Sequence, residues 1–201
     1  SIDPVVMAAR TVMDLQTVVS RENNPMDPVV VTIGSIHGGT QGNVIPDEVK
    51  LELSVRTFSE ELQRTVLAAI TRMAKAAAQA SGAPGEPLVS IPPGGNHVVV
   101  NDPMLTTRLA SALQKALGAE RVVEMPAKMT SEDFSEYGRA GIPAVLLHIG
   151  AVSPSRLAES RRTGIPVPAP HSPEWLPDLE PTLTGAVRGE TAALIELFRG
   201  R

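Results

Sequence analysis

From residue 48 to residue 57 the chain alternates without a break. Val49, Leu51, Leu53 and Val55 fall on one side, and Lys50, Glu52, Ser54 and Arg56 on the other. A period of two over this length predicts a half-buried antiparallel strand. The run VVVTIGSI (29–36) predicts a second strand. On either side of the two the period changes to that of a helix. Asp3-Pro4 is a helix start, with Asp as N-cap and Pro at the first helical position. Val5, Val6, Ala9, Val12, Met13 and Val19 then keep helical spacing to about Ser20. Ser59 with Glu60 and Glu61 opens another helix, in which Val66, Leu67, Ile70, Met73 and Ala77 mark the stripe expected to be buried, and Ser81-Gly82 stops it. EPLVSI (86–91) predicts a short strand and PPGGN (92–96) a domain boundary.

Beyond that boundary the texture changes. Asp102-Pro103 caps a helix carrying Leu105, Leu109, Leu113 and Leu117 and closed by Gly118. RVVEM (121–125) predicts a strand, and TSEDFSEYG (130–138) a loop running into a short helix. IPAVLLHIG (142–150) is a near-continuous apolar run, the mark of a strand buried on both faces of an α/β sheet. Residues 151–170 predict a long polar, proline-rich loop. After Glu180-Pro181 a last helix is expected to turn Leu183, Val187, Leu194 and Phe198 inward.

The first half is thus αββαβ, a ferredoxin-like βαββαβ unit without its first strand. That strand is central in the sheet of such a fold, so its absence leaves strand edges unpaired, which soluble proteins avoid. The chain therefore reads as the C-terminal piece of something longer. The fold class expected is α/β: an α+β lid followed by part of an α/β sandwich.

Composition narrows the functions. A net charge of −4 with no long basic run argues against nucleic acid as a partner. No apolar run approaches the roughly 20 residues that cross a bilayer, and no signal-peptide pattern opens the chain. No membrane contact is expected, therefore, and a cytoplasmic location is. With no cysteine, thiolate metal ligands and a cysteine nucleophile are excluded within these residues.

Four stretches carry a family resemblance: DPVVMAARTVMDLQTVVSR, GSIHGGTQGNVIPDEVKLELSVRTF, MTSEDFSEYG and PHSPEW. In order and rough spacing they resemble the metal-dependent amidohydrolases of the hippurate hydrolase and indole-acetyl-amino-acid hydrolase type, relatives of the aminoacylases and of carboxypeptidase G2. GGTQGNVIPD with Arg thirteen residues after Asn is the most specific of these signatures. The resemblance implies that residues 1–94 are the lid and dimerisation domain without its first strand, and residues 95–201 the C-terminal segment of the metal-binding catalytic domain. It implies an N-acyl-amino acid or peptide substrate, a homodimer formed through the lid, and two divalent ions, zinc or manganese, in the full-length enzyme. The segment that brings most metal ligands and the general base has no counterpart here, so this chain is expected to be inactive alone and to hold no metal stably. Glu60-Glu61 opens a lid helix and does not replace the missing acidic pair.

Residue by residue, the resemblance implies that Asn43 reaches across the dimer to donate to the scissile carbonyl or the substrate carboxylate. It makes Arg56, with its fork of donors, the anchor for the free carboxylate. Gly39 would let backbone approach the ligand, and His171 would be the last metal ligand. Ser131 and Glu132 are candidates for the cleft floor; Thr130 or Ser131 as a plain N-cap fits the residues equally well. Thr130 stands where the family usually has Gly. The plain alternative for the first loop is a wide hairpin turn whose Asn43 caps its own backbone, with Arg56 solvated. His37 reads as turn filler, His148 as a satisfied core histidine, His97 as a boundary-loop residue and the methionines as core filling. A non-catalytic dimerisation or small-molecule-binding module is the rival function.

Overall fold

The computed structural model describes residues 1–92, 97–130 and 132–199. The chain divides into two compact units, residues 1–98 with 128–135, and residues 99–127 with 136–201. Most of the expected boundary stretch 92–96 lies outside the described residues.

In the first unit the order is α1 (Pro4–Arg21), β1 (Val29–His37), β2 (Lys50–Thr57) and α2 (Glu60–Ala80). Both helices start where their caps place them. The Asp3 carboxylate accepts from the Val5 N–H, and the Ser59 hydroxyl accepts from the Leu62 N–H at 3.0 Å. The strands pair antiparallel from Val29 opposite Thr57 to His37 opposite Lys50, with a register shift between Ile33 and Ser35 that leaves Gly34 as the extra residue. Leu15 and Val18 of α1, Val29 of β1 and Val66, Ala69, Ile70 and Met73 of α2 close the core. α1 is rotated from its expected stripe. It buries Ala8, Thr11, Leu15 and Val18, while Val5, Val6 and Met13 are exposed, because apolar residues occupy two of its faces and only one meets the sheet.

In the second unit α3 (Pro103–Leu117) ends in a 3₁₀ turn (Ala119–Arg121), α5 (Pro154–Thr163) follows, and α6 (Leu179–Phe198) packs on α3. α4 (Ser135–Arg139) is a single short turn. Of the leucines α3 carries, Leu109 and Leu113 are buried and Leu105 and Leu117 half-buried. α6 is turned the other way: Gly189 and Ala193 are its buried residues, and the expected inward set of Leu183, Val187, Leu194 and Phe198 is exposed. Small residues let the backbones of two helices approach, and the larger apolar face is left outside. α5 lies within the expected loop. Ser153 caps it, Pro154 starts it and Gly164 at φ 73° ends it, but no residue of it is buried, so it has no apolar stripe to read.

The described residues contain no strand at 86–91, 121–125 or 142–150. Arg121 closes a 3₁₀ turn and the other residues of those stretches lack ladder partners, and a strand exists only where a second strand completes its hydrogen bonds. At 146 a side chain takes the partner's place. The Asn101 amide donates to the Leu146 carbonyl at 3.1 Å and accepts from its N–H at 2.9 Å. Several residues expected inside are in water: His148 is exposed, and so are Met13, Met26, Met104 and Met125, whereas Met73 is buried.

Candidate functional site

The loop from Gly38 to Val49 joins β1 to β2, and its glycines have separate tasks. A Cβ on Gly38 would fall 2.5 Å from Val49 Cγ2, so the close approach is to the loop's own returning limb. Gly39 sits at φ +76°, a conformation that glycine adopts without strain. The Val44 N–H donates to the Gln41 carbonyl at 3.3 Å, which makes Gly42 and Asn43 the two central residues of a turn. Asn43 is exposed, and its side chain makes no hydrogen bond among the described residues. The amide does not cap its own turn. A depression of about 600 Å³ lies here, lined by Gly39, Asn43, Pro46 and, from the start of α1, Asp3 and Val5.

Arg56 is at the other end of the hairpin. It pairs with Val30, whereas the loop springs from His37 and Lys50. At about 3.3 Å per residue the strand rise separates the two ends by roughly 20 Å. The fold does not bring Asn43 and Arg56 together within one chain. The Arg56 Nη1 donates to the Met129 carbonyl at 2.6 Å. No residue-type pattern points to that contact, because any residue has a carbonyl.

Alternation puts Lys50, Glu52 and Ser54 on the same side of β2 as Arg56. Glu52 accepts from Lys50 Nζ at 2.5 Å and from the Ser35 hydroxyl at 2.8 Å. The Lys50 hydrogen bond is the main reason its carboxyl lies below the usual range, and the same bond raises Lys50. Glu132 accepts from the Asp133 N–H at 3.0 Å through its own carboxylate. Ser131 lies outside the described residues. His97 Nδ1 and Glu60 Oε1 are 2.9 Å apart, which ties His97 to the first turn of α2.

In the second unit His171 is exposed as the third residue of a turn that starts at Ala169 and is closed by the Ser172 N–H on the Ala169 carbonyl, and a second turn, closed by the Trp175 N–H on the Ser172 carbonyl, follows. Its φ of 73° makes it the one non-glycine residue among those described with positive φ. That conformation costs a residue with a Cβ on the order of 1 kcal/mol. No three His, Asp or Glu side chains among the described residues lie close enough together to hold a metal ion. No helix among them is long and apolar enough to cross a membrane.

Comparison with known proteins agrees with this architecture. Residues 1–81 match the model of the peptidase dimerisation domain. N-acetyldiaminopimelate deacetylase of Leuconostoc citreum is 39% identical over 148 residues, which are 74% of this chain and 37% of that protein. IAA-amino acid hydrolase ILR1-like 2 of Arabidopsis thaliana is 37% identical over 142 residues, 68% of this chain and 31% of that protein. A solved structure from methicillin-resistant Staphylococcus aureus, described as an aminohydrolase, superposes on 97% of this chain and 46% of its own with a TM-score of 0.73 at 26% identity. A dinuclear metal binding peptidase of Bacillus subtilis shares the fold, with a TM-score of 0.61 at 24% identity. The chain spans less than half the length of these relatives. Residues 1–81 are thus an M20-family peptidase dimerisation domain, and the chain as a whole is similar to part of these amidohydrolases.

Proposed function

We propose that this chain works as part of a hydrolase of N-acyl-amino acid amide bonds. Residues 1–94 would serve as its substrate-clamping and dimerising lid, and residues 95–201 as the closing segment of its catalytic domain. The observation that carries the reading is the separation of Asn43 from Arg56 along one hairpin, roughly 20 Å by strand rise. One acyl-amino acid cannot span it, so a site that uses both residues takes them from two copies related by a two-fold axis. The unbonded Asn43 amide on a loop tip is what such a reach requires.

Each residue then has a task. Arg56 holds the substrate carboxylate in both ground and transition states. Asn43 donates to the carbonyl oxygen as it gains negative charge, where a fixed donor contributes on the order of 3 kcal/mol. His171 offers a neutral imidazole to a divalent ion, zinc or manganese. A catalytic zinc site takes about three protein ligands, and the described residues do not assemble them, so they do not by themselves fit a two-metal centre.

In the whole enzyme Arg56→Ala should raise KM for carboxylate-bearing substrates with kcat nearly kept, and Asn43→Ala should lower kcat. An unchanged KM for Arg56→Ala removes the anchor role. The chain alone should release no amino acid from hippurate-like substrates with zinc, manganese or cobalt added. Two tightly bound metals per chain, or turnover lost on His171→Ala, would overturn that. Light scattering should find a dimer; a monomer at high concentration refutes the two-copy site.

A further inference from the structure

Residues 128–135 group with residues 1–98, although the chain on both sides of them, 99–127 and 136–201, forms the other unit. Residues 123–130 make no backbone-to-backbone hydrogen bond among the described residues. Their polar tie is Arg56 Nη1 to the Met129 carbonyl, at 2.6 Å. We propose that residues 128–130 are a positioning strap for Arg56: the Met129 carbonyl orients the guanidinium for a substrate carboxylate, and carboxylate binding in turn holds the strap in place. The inference rests on the reading of Arg56 as carboxylate anchor and adds what aims it.

The chemistry of the contact suits this task. A guanidinium is planar, with five N–H donors in a rigid fork, so one short bond at Nη1, with the stem rooted on β2, narrows the directions in which the others point. A carbonyl is neutral, so it orients the group without cancelling its charge. Arg72, Arg108, Arg139 and Arg162 face Glu22, Glu196, Glu136 and Glu159 instead, and their charge is met by a carboxylate already. The acid nearest in sequence to the strap, Glu132, bonds its neighbour's N–H. An exposed arginine ordered before the ligand arrives loses less freedom on binding, the usual gain from preorganisation. Coupling of this kind is reciprocal, so a ligand on Arg56 must also slow the opening of the strap.

The test compares hippurate (N-benzoylglycine) with its carboxamide on the chain, by backbone amide relaxation and by NMR titration. Hippurate should raise the order parameters at 128–130, and the carboxamide should not. Arg56→Lys keeps the charge but not the fork, and it should lower them and abolish the response. Deletion of Lys128 moves a different carbonyl opposite Arg56, and it should weaken hippurate about tenfold while leaving the carboxamide unchanged. Met129→Ala should change nothing, since only the backbone oxygen is used. Order parameters at 128–130 that are identical in wild type and Arg56→Lys overturn the strap. So does a preference for hippurate that survives deletion of Lys128, or a deletion that weakens both ligands equally. If the wild type binds hippurate and its amide alike, the anchor reading itself has failed, a different result from failure of the strap.

Discussion

The helix pairs of the two units carry similar apolar patterns and are supported differently. α1 and α2 lie on β1 and β2, and the space between is closed by Leu15, Val18, Val29, Val66, Ile70 and Met73. α3 and α6 meet through Leu109, Leu113, Gly189 and Ala193, while Leu183, Val187, Leu194 and Phe198 stay in water. The first unit completes a core with its own residues. The second has more apolar surface than its described residues cover, and the strands expected in it find no ladder among them. An apolar stripe identifies a helix; it does not say whether the chain at hand also carries what covers it.

The largest effect should come from the closed core. Leu15 is 1% exposed, and Leu15→Ala removes buried methyls and leaves a cavity, a loss of about 3 kcal/mol. Leu194 is 53% exposed, and Leu194→Ala should shift stability by less than about 0.5 kcal/mol. Urea unfolding followed separately in each unit checks both. Equal losses would mean that the α6 stripe is covered in solution, and the contrast between the units would fall.

Asn101 gives the next effect. Asn101→Ala removes both bonds to Leu146 and leaves its N–H and carbonyl without that partner, a loss of about 2 kcal/mol. Hydrogen exchange at Leu146 should rise sharply in the variant. Unchanged exchange would show that this stretch is held by something other than the side chain.

Gly189→Ala sharpens the helix contact in the opposite direction. A Cβ there meets Leu113 Cδ2 at 3.6 Å and Leu117 Cδ1 at 3.7 Å, ordinary contacts. The helix gains about 0.5–1 kcal/mol when Gly becomes Ala. Thermal unfolding should therefore move up slightly; a fall would mean that the two backbones need the glycine.

These contrasts also mark what was legible in the residues. The caps were: Asp3, Ser59 and Asp102 each accept a hydrogen bond from an N–H of the first turn. The β1–β2 hairpin was legible too, because alternation depends only on which face is wet. The rotation of α1 and α6 was not, since both helices have apolar residues on two faces and the choice between them is made by neighbours. The strand character of 142–150 needs a partner strand, which local sequence does not supply. In the candidate site the loop glycines and Arg56 stood out by residue type, and the Met129 carbonyl had no type to read. His171 was marked by its HSP context, while its positive φ belongs to the local turn after Pro170, at a position that usually takes Gly or Asn.

The smallest predicted effect tests the comparison through pH. Arg108 Nε donates to Glu196 Oε1 at 2.9 Å and joins α3 to α6. That hydrogen bond is the main reason the Glu196 carboxyl lies below its ordinary value of 4.5. In the unfolded chain Glu196 takes up its proton near 4.5, and in the folded chain only at lower pH. The stabilisation is therefore complete above that value and is lost as pH falls through the lowered one. In the first unit Glu52 is lowered in the same direction, mainly by Lys50, its neighbour two residues back on β2. That pair links no two helices; the ion pair that does join α2 to the end of α1 is Arg72 with Glu22, and the comparison is made in a Glu22→Gln background that removes it. Acidification from pH 6 toward 3 should therefore loosen α3 against α6 more than α1 against α2, as read by exchange at Leu113 and Leu15. Glu196→Gln should flatten the response at Leu113 only. If both units soften together and the variant still follows the wild type, the ion pair does not hold the second helix pair, and its small-residue contact acts alone.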